Sequence, residues 1–236
     1  MKLAIMQPYF FPYMGYWQLL NAVDRFVIYD DVSFIKRGWV NRNRILINDK
    51  PSYITVPLSH ASQNKRICDL SLQTSPDWRR KLIRSIENTY RRAPYFSVIF
   101  SEIDKQLEYP AANLADFLAF HLGAMATLLG INTEFVMTSR CYENSELTGQ
   151  DRILDICKSE GAKSYLNLQG GQTLYDSESF DDVNIDLRFI IMRLTPYKQR
   201  SAGFLPNLSI IDALMEIGVE GVQQRLIEYD LVAINK

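Results

Sequence analysis

The first 31 residues constrain the fold most, because two short apolar runs flank a helix-like segment. Residues 2–6 and 25–29 are apolar runs typical of buried strands, residues 7–13 form a loop that holds two prolines, and residues 16–22 have the composition of a helix. A strand, a helix and a second strand at this spacing form a compact βαβ unit, which requires the two strands to be parallel. The sequence therefore predicts an α/β protein with a mostly parallel sheet.

The rest of the chain continues the alternation of strands and helices. The patterns predict a hairpin over residues 39–56, helices at 77–92, 111–129, 150–160 and 209–229, and strands at 134–137, 164–168 and 185–192. The C-terminal part, from about residue 195 to 236, is expected to be mainly helical. Because no repeat, low-complexity tract or linker divides the chain, residues 1–236 are predicted to form a single domain.

Composition indicates a chain with a real core. The 236 residues are 47% hydrophobic, and the three cysteines show no metal-binding or disulfide spacing, which is typical of a reducing compartment. The apolar segment at residues 1–20 is interrupted by two prolines, a glycine and two glutamines. It is therefore predicted to be neither a signal peptide nor a membrane span. The expectation is a soluble cytoplasmic protein without membrane insertion.

The charges are unevenly distributed along the chain. Residues 1–100 contain 15 Lys and Arg against 7 Asp and Glu, whereas residues 101–236 contain 11 against 20. The first part should therefore attract anions. Six of its cations lie on the predicted helix at 77–92, which lacks interleaved exposed aromatic residues and any reader motif, so a solvated helix face is expected there and no nucleic-acid partner.

The loop after the first strand is the first candidate site. Parallel α/β sheets bind ligands where a strand gives way to a helix, and the free N–H groups of a helix start favour anions. Prolines stiffen this loop and Gly15 permits close approach of a ligand. The alternative is an aromatic-rich loop that only plugs the end of the sheet. The predicted ligand-binding residues here are Gln7, Pro8, Tyr9, Gly15 and Tyr16.

A second candidate site follows the second apolar run. Asp30 and Asp31 end this run, and several cations come next in the chain. Adjacent carboxylates raise each other's pKa, so either aspartate is a candidate catalytic base, while the cations can bind phosphate. No metal site is assigned, although a divalent ion between the two aspartates stays open. A hairpin whose charges pair with one another is the alternative. The predicted binding residues are Lys36, Arg37, Asn41 and Arg42.

Three further positions complete the candidate list. His60 follows a strand in a polar loop, where a catalytic proton-transfer role competes with that of an ordinary exposed residue. His121 has helical spacing with apolar neighbours and is expected to be a satisfied core histidine. At the end of the strand at 164–168, a glycine pair suits close approach of a ligand, against the alternative of a plain turn. The predicted ligand-binding residues there are Tyr165, Asn167, Gly170 and Gly171.

The position of the first loop resembles the adenylyl-binding loop of the nucleotidylyltransferase and class I synthetase superfamily. That superfamily has a Rossmann-type fold known as HUP, which the resemblance implies for this chain. Two histidines flank a glycine in the superfamily signature, whereas this chain has Tyr13-Met14-Gly15-Tyr16 and no later lysine- and serine-rich signature. The departure puts nucleotidylyl transfer by the usual residues in doubt.

Across its length the chain also resembles the WbqC-like family of bacterial proteins. The stretches that carry this resemblance are Ala4-Ile-Met-Gln-Pro-Tyr-Phe-Phe-Pro-Tyr-Met-Gly-Tyr16, Phe26-Val-Ile-Tyr-Asp-Asp31, Arg37-Gly-Trp-Val-Asn-Arg-Asn43, Thr55-Val-Pro-Leu58, Ala93-Pro-Tyr-Phe96, Leu129-Gly-Ile131, Gly161-Ala162 with Tyr165-Leu-Asn167, and Leu208-Ser-Ile-Ile-Asp212.

The resemblance implies a role in the biosynthesis of surface polysaccharides such as O-antigen and lipopolysaccharide. The implied reaction is transfer of an acyl group, aminoacyl and in particular glycyl, to the amine of a nucleotide-linked amino sugar. ATP is a candidate cofactor for activating the amino acid, and an aminoacyl-tRNA or carrier-protein donor is equally compatible.

Two alternatives stay open at this point. One is a nucleotidylyltransferase-like enzyme that acts on a small phosphorylated metabolite. The other is a non-catalytic protein that binds a nucleotide-sugar. The sequence leaves the sugar, the acyl donor and the oligomeric state undetermined.

Overall fold

A six-stranded sheet forms the centre of the structure, a computed structural model that describes residues 1–75, 77–193 and 195–233. Its strands are β1 (Lys2–Met6), β2 (Arg25–Ile28), β7 (Glu134–Val136), β8 (Ser164–Leu168), β9 (Asp186–Met192) and β10 (Tyr229–Val232). They run in the order β10-β9-β8-β1-β2-β7. All neighbours are parallel except β9 and β10. The predicted α/β class with a mostly parallel sheet is confirmed.

Seven helices accompany these strands in the described residues. They are α1 (Met14–Ala22), α2 (Asp77–Tyr90), α3 (Phe96–Leu107), α4 (Leu114–Leu128), α5 (Gly149–Ser159), α6 (Ser177–Asp181) and α7 (Ile210–Arg225). Local signals explain their ends: the Asn113 side chain accepts hydrogen bonds from the first N–H groups of α4, and Gly130 follows that helix with φ +66°. Gly218, with φ +71°, kinks α7. None of the helices described is both long and apolar enough to cross a bilayer.

Two hydrophobic clusters cover the two faces of the sheet. Along β1, Ala4 faces one cluster, whereas Leu3 and Ile5 face the other, as strand alternation requires. Helices α1, α2, α3, α4 and α7 contribute to the first cluster, and α5 and α6 to the second. The molecule is therefore layered, with the sheet between two groups of helices.

A separate hairpin, β3 (Arg42–Ile47) with β4 (Lys50–Thr55), packs beside this core. Its turn residues Asn48 and Asp49 both have positive φ, as a two-residue hairpin turn of the primed type requires. The predicted hairpin is thus confirmed. A second antiparallel pair, β5 (Leu58–Ser59) with β6 (Ser71–Leu72), follows it.

The C-terminal part differs from the expectation of mainly helical structure. The helix predicted over 209–229 begins at Ile210 and ends at Arg225, and the chain then forms β10, which pairs with β9. Between β9 and α7, the described residues form no helix or strand. Residues 234–236 of the predicted helical part lie outside the described residues. Helix α3 was not predicted at all.

Candidate functional site

A cleft lies at the carboxyl edge of the sheet, above the ends of β1 and β8. The chain passes from β1 to β2 on one side and later adds β8 on the other side of β1. The connections leaving these neighbouring strands therefore diverge, and such a switch point is where open α/β sheets bind ligands. The loop after β1, the segment after β8 and the start of α1 all reach this cleft.

The larger part of the cleft, here named the aromatic chamber, has a volume of about 700 Å³. Among the described residues that line it, none carries a charged side chain. Aliphatic side chains, aromatic rings and a few side-chain amides line it instead, which suits flat rings and hydroxyl groups. The rings are those of Tyr9, Tyr13, Tyr29, Trp39 and Tyr175, and the amides those of Gln7, Gln150 and Asn167.

The smaller part, here named the Arg44 chamber, has a volume of about 410 Å³. It shares Tyr9, Tyr13, Trp39, Leu168 and Gly170 with the aromatic chamber. Arg44 is the charged side chain among its described lining residues. The two chambers therefore form one continuous surface with an uncharged part and a cationic part.

The guanidinium of Arg44 is a group in this chamber that can bind an anionic hydrogen-bond acceptor. Its guanidinium lies 5.4 Å from the centre of the Trp39 ring, and its Nη2 donates to the backbone oxygen of Asn207 at 3.3 Å. Its Nε is shielded from solvent and has no hydrogen-bond partner in the part of the chain that the structure describes. An unpaired buried donor costs about 1–3 kcal/mol, and an anion in the chamber would remove that cost.

The start of α1 adds a second positive element to this chamber. Gly15, in the first turn, lines it, and no side chain caps the helix start at Tyr13. A Cβ on Gly15 would lie only 2.7 Å from the Tyr13 ring, so glycine is needed for that ring to rest on the helix start. The unsatisfied N–H groups there favour a negative ligand.

The loop between β1 and α1 is held from several sides. Asn43, which is buried, donates to the backbone oxygens of Phe10 at 3.0 Å and Phe11 at 2.8 Å, and the hydroxyl of Ser209 also donates to Phe11. Phe11 has φ +41°, an uncommon conformation for a bulky residue. The surrounding bonds fix that conformation and with it the positions of Tyr9 and Tyr13.

Both tyrosines that line the two chambers keep their protons at neutral pH. Burial raises the pKa of Tyr9, and burial together with the nearby Tyr9 raises the pKa of Tyr13 to about 12. Each hydroxyl can therefore donate a hydrogen bond to a ligand.

The predicted contacts in this loop need a correction. Gln7, Tyr9 and Gly15 line the cleft, but Pro8 is buried, and Tyr16 is fully buried with its hydroxyl donating to the backbone oxygen of Gln7. Tyr16 thus packs in the core and supports the loop from beneath.

The two aspartates lie in a buried network rather than in the cleft lining. Asp30 is fully buried and accepts hydrogen bonds from the Thr138 hydroxyl and the Ser139 backbone N–H. Asp31 forms an ion pair with Arg152 at 2.6 Å.

The prediction that pairing raises the pKa of Asp31 is wrong. Burial opposes its ionisation, but the hydrogen bonds from Arg152 and Ser139 outweigh burial and lower the pKa. A carboxylate stabilised in this way is a weak base. The described residues hold no group of three or more His, Cys, Asp or Glu side chains arranged for a metal ion.

The predicted cations and amide of residues 36–42 also lie apart from the cleft lining. Lys36 and Arg37 are exposed. Asn41 donates to the backbone oxygen of Val56 at 2.8 Å, and Arg42 covers the Tyr53 ring at 4.1 Å. These two side chains therefore stabilise the hairpin.

Three of the four residues predicted at the end of β8 reach the cleft. Asn167, Gly170 and Gly171 line the aromatic chamber, whereas Tyr165 is fully buried. The Asn167 amide donates to the hydroxyls of Tyr165 and Tyr175, at 3.2 and 3.0 Å. Tyr165 therefore affects the cleft only indirectly, because its hydroxyl helps to orient the Asn167 side chain.

His60 is exposed, with φ +51°, and lies outside the described lining of both chambers. Its catalytic role stays a prediction that the geometry does not favour.

Several residues that line the cleft were not among those predicted from the sequence to bind a ligand. Arg44, Tyr13, Tyr29 and Trp39 all lie within the segments discussed above. Strand alternation places Arg42 and Arg44 on the same face of β3, so the pattern could not separate the arginine that lines the cleft from the one that covers Tyr53. Tyr175 follows a 3-10 helix, and Gln150 is the second residue of α5. Neither position carries a local signal.

Comparisons with known proteins agree with the resemblance seen in the sequence. Residues 7–224 match the model of the WbqC-like protein family. The uncharacterized protein Rv1507c of Mycobacterium tuberculosis is 32% identical over 221 residues, which cover 93% of this chain and 95% of the relative. No solved structure matches the chain, so the predicted HUP-type fold stays a prediction.

Proposed function

The chain belongs to the WbqC-like protein family, and from that premise we propose that it binds a nucleotide-linked amino sugar in the cleft and transfers an acyl group to the sugar amine. The observation that carries this proposal is the Nε of Arg44, which has no hydrogen-bond partner among the described residues and belongs to a chamber that the start of α1 also lines and that adjoins the aromatic chamber.

A nucleotide-sugar has the composition that the two chambers complement. Its diphosphate matches Arg44 and the N–H groups at the start of α1. Its base and sugar ring match the rings and amides of the aromatic chamber. A phosphorylated metabolite without a base would leave most of the larger chamber unfilled.

The transfer step needs an acyl donor that is already activated. The amine nitrogen attacks the acyl carbon, a C–N bond forms, and the bond from that carbon to the leaving group breaks with its electron pair. The amine proton passes to the leaving group or to solvent, because Asp31 is held as a weak base in its ion pair. In this proposal Tyr9 and Tyr13, both protonated, donate hydrogen bonds to the acyl oxygen as charge develops on it. The acyl group is proposed to be aminoacyl, activated by ATP or delivered by a carrier.

The test is incubation of the purified protein with uridine diphosphate glucosamine, glycine and ATP, followed by mass spectrometry. The proposal predicts an aminoacylated sugar nucleotide. Arg44→Gln should weaken binding of the sugar nucleotide about ten- to a hundredfold, because a charge-assisted bond contributes about 1.5–3 kcal/mol. The matched control, Lys36→Gln, removes an exposed cation outside the cleft and should leave binding unchanged.

A second candidate is a non-catalytic nucleotide-sugar binding protein. It is favoured by the aromatic chamber, because no carboxylate, histidine or cysteine side chain is among its described lining residues. This candidate predicts the same loss of binding in Arg44→Gln, but no product with any activated donor, including a glycyl adenylate or thioester.

A further inference from the structure

A small pocket, here named the inner pocket, adjoins the Arg44 chamber and shares Met192 and Asn207 with it. It lies between α1, the end of β9, the segment that joins β9 to α7, and both ends of the kinked helix α7. Its volume is about 30 Å³. Since one water-sized probe occupies roughly 10–15 Å³ in this measure, the pocket has room for two or three waters or for a molecule of a few heavy atoms.

Three polar atoms of residues that line the inner pocket have no hydrogen-bond partner among the described residues. They are shielded from solvent, and they are Gln18 Oε1, Arg225 Nε and Glu228 Oε2. Buried polar groups are nearly always paired, so three orphans around one pocket indicate a missing polar occupant.

The orientation of Gln18 is well determined. It is fully buried, and its amide nitrogen donates to the backbone oxygens of Arg225 at 2.8 Å and Glu228 at 3.0 Å. Only the NH₂ end can donate to two carbonyls, which fixes the opposite Oε1 as a free acceptor. The same two bonds hold Arg225 and Glu228 at the pocket.

The set of orphans defines the chemistry of the occupant. Two acceptors, one of them anionic, require a ligand with donors and positive charge, and the guanidinium N–H requires an acceptor. The third charged residue of the lining, Arg193, is already bound to Asp230. Arg225 Nη1 already donates to the backbone oxygen of Gly221 at 2.9 Å, which leaves its Nε as the free donor among the described residues. A cation alone would leave that Nε unpaired, and an anion alone would leave Gln18 Oε1 and Glu228 Oε2 unpaired.

We infer that the inner pocket binds a small zwitterion, namely a free α-amino acid of the smallest size. Its ammonium group donates to Gln18 and Glu228, and its carboxylate accepts from Arg225. The role of this amino acid as the source of the transferred acyl group rests on the proposed function, whereas its binding does not.

The experiment is calorimetric titration of the full chain with glycine, and with acetate and methylammonium as probes that carry only one of the two charges. Glycine should bind at least tenfold more tightly than either probe. Glu228→Gln should weaken glycine binding at least tenfold, and the control Glu220→Gln, at an exposed position of α7, should leave it unchanged. If thermal unfolding shows that Glu228→Gln is damaged, Arg225→Lys replaces it as the test variant.

Equal binding of the three probes, no binding of glycine, or full glycine binding by a folded Glu228→Gln or Arg225→Lys variant would overturn the inference. A glycine-soaked crystal with only water in the inner pocket would do the same. Titration of the same samples with uridine diphosphate glucosamine separates the two proposals. Sugar-nucleotide binding without glycine binding refutes the inner pocket alone, and glycine binding without sugar-nucleotide binding refutes the proposed function alone.

Discussion

At the scale of single residues, the most unusual group is His121. It is buried, as its spacing predicts, but the expectation that it is satisfied is wrong, because neither ring nitrogen has a hydrogen-bond partner among the described residues. Its ring lies 4.0 Å from that of Phe117 and 5.1 Å from that of Phe11. Burial, with a smaller contribution from Arg79, lowers its pKa to about 3. The neutral imidazole therefore behaves as part of an aromatic cluster.

This pKa makes stability depend on pH. Between pH 6.5 and 3 the unfolded chain binds a proton at His121 that the folded protein does not, so the free energy of unfolding falls as the pH is lowered. At pH 5 the expected loss from this group is about 2 kcal/mol. Urea unfolding of the wild type and of His121→Leu between pH 7.5 and 5 checks it: the variant should lose much less stability, and equal losses would contradict the assignment.

The ion pair of Asp31 and Arg152 belongs to the same scale. Arg152→Met should lower the free energy of unfolding at pH 7 by about 3–5 kcal/mol, because it leaves a buried carboxylate without its partner. The deficit should shrink as the pH is lowered, because burial raises the pKa of the unpaired carboxylate and the folded variant takes up a proton before its unfolded chain does. Arg80→Met is the control. Arg80 and its partner Asp77, 3.0 Å apart, are both exposed, so its loss should cost less than about 1 kcal/mol. A deficit that does not change with pH would contradict the account.

At the scale of elements, local sequence patterns were sufficient to predict a helix, strand or turn wherever a segment packs against its own neighbours in the chain. The βαβ unit and the β3–β4 hairpin were predicted for this reason. Helix α3 carries a signal that was overlooked, since Ile99, Ile103 and Leu107 repeat at helical spacing and are all buried. The strand β10 could not be predicted, because its conformation depends on pairing with β9 rather than on its own sequence.

The loop between β1 and α1 yields a prediction at this scale. Asn43→Ala removes the donor that Phe10 and Phe11 share, and it should cost about 1–3 kcal/mol of stability. Because the same bonds position Tyr9 and Tyr13, binding of a sugar nucleotide should weaken about tenfold or more. Asn64→Ala, at an exposed position, is the control. If Asn43→Ala loses stability but binds the sugar nucleotide as tightly as the wild type, the hydrogen bonds from Asn43 do not shape the cleft.

At the scale of the whole molecule, the cleft depends on a contact between distant parts of the chain. Strand β8 takes its place beside β1 although some 160 residues separate them, and this pairing creates the switch point. The sequence could place ligand-binding residues at strand ends, but it could not say which ends meet. It also could not say which cations reach the cleft. Five of the six cations on residues 77–92 are exposed, and among the described cations of residues 1–100 the one that lines either chamber is Arg44.

The most direct test of the central claim is a crystal structure of the protein soaked with uridine diphosphate glucosamine. The account predicts density for the diphosphate within hydrogen-bond distance of Arg44 and the first N–H groups of α1, with the base or the sugar ring in the aromatic chamber. An empty cleft, with the ligand bound elsewhere, for example in the cavity lined by Arg92 and Lys198, would contradict it.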